Sequence, residues 1–152
     1  QLFGHYFQTK DGDKLDGIGL LDITTVGGDK RLIGNVVVDS DEFGELIGYE
    51  NHSGVTVLGD NQAALGQVVQ GYGNDGTGTS EGAMRYSVVG TYLHGPVLSK
   101  NPRLADWLIL RAVERKFGVT KLAPTDDEAR AELNKLDKLI DQARAVAKSR
   151  PQ

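Results

Sequence analysis

The side chains here best suited to moving a proton near neutral pH are three histidines, His5, His52 and His94. They are far apart and share no metal-ligand spacing, so no metal site is expected. His94 stands in "GTYLHGPVLSKNP", residues 90–102, where an apolar run meets a Gly-Pro pair just ahead of a helix start. That pattern places a side chain at a strand end, on a loop above a sheet, where chemistry commonly resides. A neutral imidazole there can take a proton as general base and return it as general acid. The plain alternative is a structural histidine. His52 ends another strand-like run, "LIGYENH", behind Glu50 and Asn51. His5, beside Phe3 and Tyr6, reads as part of an aromatic cluster.

Two further motifs match on paper. "GYGNDG", residues 71–76, satisfies G-x-G-x-x-G, but the following "TGTSEG" is a poor helix start, so no helix N-terminus would meet a pyrophosphate. A flexible surface loop is the expected reading. "GTSEG", residues 78–82, satisfies G-x-S-x-G, yet Ser80 lacks a strand before it and a helix after it.

The elements that must position these residues can be read from periodicity. Residues 1–7 look like a helix end, and residues 10–12 a turn. β-branched runs predict strands over 19–26, 31–39, 46–52, 55–58, 65–70 and 84–93, with a turn at Gly27-Gly28-Asp29. Asn101 and Pro102 read as N-cap and first helical residue. Leu104, Trp107, Leu108, Ala112 and Val113 predict a helix over 102–117, stopped by Gly118. Thr125-Asp126-Asp127-Glu128 is a capping box for a second helix, to about residue 148. Its stripe of Ala129, Leu133, Leu136, Ile140, Ala143 and Ala147 is expected to dock on the chain's own sheet. The polar end "KSRPQ" is expected to fray. The whole is a mixed α/β or α+β pattern, strand-rich over 1–100 and helical after it.

Composition sets the outer bounds. The chain has 152 residues, 39% hydrophobic and 25% charged, which suits one globular domain or a large part of one. A net charge of −4 argues against a nucleic-acid face. No apolar run approaches the roughly 18 residues of a membrane span, and the start lacks signal-peptide character. Without cysteine, neither disulfides nor thiolate metal ligands can form within these residues. A cytoplasmic setting is expected.

"GYENHSG" (48–54) and "GTYLHGPVLSKNP" (90–102) together resemble the CobB/CobQ-like class I glutamine amidotransferases, and most closely their GatD-like branch, the glutaminase subunits of lipid II isoglutaminyl synthase. "QLFGHYF" (1–7), "DGDKLDGIGLLD" (11–22) and "KRLIGNVVVDSDEFG" (30–44) fit the same family in the same order. The resemblance implies the C-terminal portion of a flavodoxin-like, three-layer α/β domain, with additional strands and two C-terminal helices. It implies hydrolysis of L-glutamine to glutamate by a cysteine thiolate, with His94 as the base. Arg31 would hold the substrate carboxylate. From the residues themselves, Asn51 and His52 end a strand pointing toward the same face, where they could line the pocket or cap a turn. The cysteine would lie just ahead of Gln1. Many class I relatives orient the histidine with His-x-Glu; His94-Gly95-Pro96 lacks that acid, which implies a Cys-His dyad and leaves Glu50 as a candidate orienter. No cofactor is expected in this chain. ATP and Mg would be bound by the partner, a MurT-like Mur ligase that uses the ammonia to convert D-glutamate of lipid II to D-isoglutamine. Two alternatives stand: the glutaminase domain of a cobyric or cobyrinic acid amide synthase, and a non-catalytic module that binds a partner.

Overall fold

The two longest β-branched runs form the spine of the sheet. The structure, a computed structural model, describes residues 1–150. Strand β3 (Ile23–Ser40) and strand β4 (Gly44–Leu58) pair antiparallel from Ile23↔Leu58 to Ser40↔Gly44. Four of the predicted strands are thus two long ones. The predicted turn at Gly27-Gly28-Asp29 is instead an irregularity within β3, between Gly27 and Leu32. The glycines there serve close approach: a Cβ on Gly28 would stand 2.6 Å from the Ser53 carbonyl oxygen.

The expected helix end at residues 1–7 is also corrected. His5 N–H donates to Ile23 O, and Leu21 N–H donates to Phe3 O. These bonds draw the start of the chain onto β3, and β1 (Tyr6–Gln8) pairs with it in parallel. β2 (Lys14–Asp16) returns antiparallel to β1. β4 runs along one edge of β3; on the other edge β1 pairs at Thr24–Val26 and β5 (Gly66–Gln70) pairs antiparallel at Val37–Asp39, with β6 (Ser80–Glu81) beyond β5. The single strand predicted over 84–93 is a hairpin, β7 (Ala83–Arg85) and β8 (Val88–Gly90). It turns at Tyr86, whose φ of 55° is left-handed.

Short helix α1 (Val97–Lys100) leads into α2 (Pro102–Phe117), which Gly118 ends in the left-handed conformation. α3 (Asp127–Ser149) starts at Asp126, whose side chain accepts from Ala129 N–H. Asn101 is not the expected side-chain cap of α2. Its Oδ1 accepts from Ile47 N–H at 2.8 Å, and its Nδ2 donates to Ile47 O and Val97 O. Asn101 therefore completes β4 as a neighbouring strand would. The main core joins Val36, Val38, Phe43, Leu46, Leu65, Leu93 and Leu104, with Trp107 edge-on to Phe43 at 5.5 Å.

The α3 stripe docks less than expected. Ile140 is buried, while Leu133 and Leu136 are about half exposed, at 49% and 52%. Polar contacts hold the C-terminal half instead. Arg144 donates to Glu45, Lys100 O and Asn101 Oδ1, and Lys148 reaches Glu45 at 2.7 Å. The Lys148 ammonium, aided by Arg144, holds the Glu45 carboxyl below its usual range. Lys148 and Ser149 therefore belong to an anchored helix rather than a frayed end; Pro151 and Gln152 lie outside the described residues. Among the described residues, no helix is long and apolar enough to cross a membrane.

Candidate functional site

Alternation along β4 divides its polar end between two faces. Tyr49 and Asn51 are exposed, while Glu50 and His52 are buried. On the exposed face, Arg31 Nε donates to Asn51 Oδ1 at 2.7 Å. Two of the residues expected to bind substrate are thus in contact. The other guanidinium N–H groups of Arg31 have no protein partner among the described residues, so a planar donor set is open to an anion.

His52 lies on the buried face. Its Nδ1 is 2.9 Å from Gly54 O, and because a carbonyl only accepts, Nδ1 carries the proton. The ring stacks on Tyr92 with centroids 3.6 Å apart and planes inclined by 3°. His52 Nε2 is buried without a hydrogen-bond partner among the described residues and is 3.8 Å from Glu50 Oε2. Glu50 accepts from Tyr72 N–H at 2.7 Å and Gly73 N–H at 3.0 Å. It therefore holds the Gly-rich loop and faces His52; no hydrogen bond joins it to His94, so the structure does not place it as the orienter.

The loop itself is pinned rather than flexible. Asn74, 3% exposed, exchanges two hydrogen bonds with the Gly82 backbone through its side chain. Its carbonyl also accepts from Thr56 N–H. The amides of Tyr72, Gly73, Asn74 and Gly78 donate to protein acceptors. Ser80 sits in β6, in no strand-to-helix elbow.

His94 is exposed, and its backbone forms an antiparallel bridge with Tyr49. His94 N–H donates to Tyr49 O at 2.7 Å, and Tyr49 N–H donates to His94 O at 3.2 Å. The two histidine-bearing motifs, remote in sequence, are therefore joined backbone to backbone. The His94 imidazole has no hydrogen-bond partner among the described residues. It borders a cavity of about 650 Å³ whose walls include Gln1, His52, Thr56, Asn74 and Tyr92. Such a ring is accessible to a bound molecule and able to carry a proton. His5 stands apart, with Nε2 at 2.8 Å from Asp22. The described residues contain no cluster suited to a metal ion.

Residues 1–102 match the CobB/CobQ-like glutamine amidotransferase domain. The chain belongs to this family. The match ends at Pro102, the first residue of α2, so the rest of α2 and all of α3 lie beyond it, and the mixed sheet with helices is that of an α/β class I glutamine amidotransferase-like domain. The chain is 41% identical to the lipid II isoglutaminyl synthase (glutamine-hydrolyzing) subunit GatD of Staphylococcus aureus, over 99% of this chain and 60% of that protein. It is 39% identical to the GatD subunit of Streptococcus pneumoniae, over 78% of this chain and 46% of that protein. A probable cobyric acid synthase of Methanothermobacter thermautotrophicus is 36% identical over 79% of this chain and 25% of its own length. The chain thus spans about half to three fifths of the GatD sequences it matches.

Glu81 and Tyr92 were not singled out from the sequence. Glu81, 1% exposed, accepts from the Thr91 hydroxyl and from Tyr92 N–H through Oε1, while its Oε2 has no partner among the described residues. Burial pushes its carboxyl above the usual range, against the opposing effect of those hydrogen bonds. The folded chain therefore holds the proton more tightly than the unfolded chain. Stability should fall as pH rises from the ordinary glutamate value, about 4.3, through the raised one. Glu81→Gln keeps an acceptor without the charge. It is expected to flatten that part of the profile and to match or exceed the parent at neutral pH. Urea midpoints between about pH 4 and pH 8 would check this; an unchanged pH slope would contradict it.

Proposed function

We propose that this chain is part of a glutaminase subunit that hydrolyses L-glutamine and passes ammonia to a partner ligase. The observation that carries the reading is the bridge between Tyr49 and His94, which joins the two family motifs and leaves the imidazole open to the cavity. In the reaction, a cysteine thiolate supplied from outside these residues attacks the side-chain amide carbon of glutamine. His94, having taken the thiol proton, gives it to the departing nitrogen, and the C–N bond breaks. Water, deprotonated by His94, then opens the thioester to glutamate and restores the thiol.

Arg31, steadied by Asn51, would pair with the α-carboxylate of glutamine. Arg31→Ala is expected to raise the glutamine KM by about 10- to 100-fold, the equivalent of a hydrogen bond to a charged group, with kcat little changed. A KM within twofold of the parent would remove Arg31 from the binding site. Asn51 acts through Arg31 on the exposed face of β4, while His52 lines the cavity from the opposite face.

The acceptor in this reading is D-glutamate of lipid II, amidated in the cytoplasm by a MurT-like Mur ligase that binds the ATP and Mg; the likeness to GatD subunits of lipid II isoglutaminyl synthase supports it. A tracer experiment tests this. Amide-15N glutamine is supplied to the full-length protein with its ligase, ATP, Mg and lipid II, and the label should enter D-isoglutamine. A second reading rests on the cobyric acid synthase relatives; label entering a corrinoid carboxamide instead would favour it. Absence of any glutamate release would leave a non-catalytic partner-binding module.

A further inference from the structure

We propose that Glu81 is a positioning residue for His94, acting through Thr91 and Tyr92; the inference rests on the proton-transfer role of His94. Among the described residues, the segment between β8 and α1 has no regular strand partner until the bridge at His94, so its amides need other acceptors. Glu81 Oε1 accepts from Tyr92 N–H at 2.8 Å and from the Thr91 hydroxyl. The Thr91 oxygen in turn accepts from Leu93 N–H at 3.0 Å. The direction is forced. An amide can only donate, so the single hydroxyl proton of Thr91 goes to Glu81 and a lone pair faces Leu93. Three successive amides are thereby fixed: Tyr92 and Leu93 by Glu81 and the hydroxyl it orients, and His94 by Tyr49.

The flanking side chains are fixed with them. Tyr92 stacks on His52, and its hydroxyl is 2.7 Å from Thr56 Oγ1, which is 2.8 Å from Thr25 Oγ1. Leu93 is buried over Gly48, where a Cβ would stand 2.8 Å from the Leu93 Cβ. The imidazole of His94 has no hydrogen-bond partner of its own among the described residues. Its aim is therefore inherited from the backbone, and the backbone is tied to one buried carboxyl. This answers for the acid missing from His94-Gly95-Pro96: the ring is held from behind, by its chain.

The test uses the full-length protein with Glu81→Ala, Glu81→Gln and Thr91→Val. Displacements of about 1 Å at a reacting group lower rates by about 100-fold. Glu81→Ala, assayed below its melting transition, is expected to lose about 30- to 300-fold in kcat with glutamine KM within about threefold, whereas Glu81→Gln, which keeps the acceptor, stays within about threefold in both. Thr91→Val is expected to lose about tenfold in kcat. Hydrogen exchange read by NMR supplies a measurement independent of activity. The Tyr92 and Leu93 amides should exchange faster in Glu81→Ala, and Leu93 alone in Thr91→Val, while Val36 and Val38 hold their protection. Parental kcat in Glu81→Ala, a loss no larger than its unfolded fraction, unaltered exchange at Tyr92 and Leu93, or a Glu81→Gln as impaired as Glu81→Ala would each overturn the proposal. A wild-type protein that releases no glutamate would sink the glutaminase reading instead, and the exchange rates would still show whether Glu81 holds this segment.

Discussion

His94→Ala in the full-length protein is expected to lower kcat for glutamate release by about 10²- to 10⁴-fold, the range over which a positioned acid-base group contributes. The glutamine KM should change little, because Arg31 and Asn51 lie on β3 and β4 and do not depend on the imidazole. Stability should also be nearly unchanged. The His94 backbone supplies the bridge to Tyr49, and its exposed ring has no hydrogen bond to lose among the described residues. That exposure adds a sharper test. With the side chain removed, added imidazole can reach the same position and should restore part of the rate, with a pH dependence that follows its own titration. Activity within a few-fold of the parent would remove His94 from the chemistry. A lost KM with an intact kcat would make it a binding residue.

Asn101→Ala should produce the largest loss of stability. The side chain is 1% exposed and meets both backbone groups of Ile47, as well as Val97 O and Arg144. Alanine would leave the Ile47 N–H and C=O buried without partners. Each such group costs about 1–3 kcal/mol, so a loss of about 3–4 kcal/mol is expected from urea unfolding. Asn101→Asp keeps the acceptor for Ile47 N–H and faces the Arg144 cation, but loses both Nδ2 donors. It should fall between the parent and Asn101→Ala. A loss under about 1 kcal/mol in Asn101→Ala would mean that β4 does not rely on this side chain. Because Ile47 precedes Gly48 and Tyr49, the same staple supports the stretch of β4 to which His94 is bridged.

The features legible in the sequence were those set by local pattern. The apolar spacing of Leu104, Trp107 and Leu108 corresponds to α2, and Gly118 ends it. The apolar runs around Val36 and Ile47 mark paired strands, and "GYENHSG" and "GTYLHGPVLSKNP" mark the family. What escaped depended on contacts distant in sequence. Gly27 and Gly28 read as a turn because a turn and a close backbone approach both call for the missing Cβ. Asn101 before Pro102 read as a cap because its true partner, Ile47, is remote in the chain. Tyr86 hid a hairpin within an apolar run because left-handed tyrosine has no sequence signal. Glu50 is a candidate orienter of His94 in the sequence, but strand parity turns it to the buried face, toward the loop and His52. Glu81 sat in a motif set aside for failing as a serine elbow; its importance lies in accepting from Thr91 and Tyr92.

The central claim is that this chain carries the histidine of a glutamine-hydrolysing thiol site. Intact-mass analysis of the full-length protein treated with the diazoketone analogue of glutamine tests it most directly. The account predicts one covalent adduct per chain, on a cysteine, prevented by excess glutamine and formed much more slowly in His94→Ala. No adduct, or an adduct indifferent to both glutamine and His94, would contradict it.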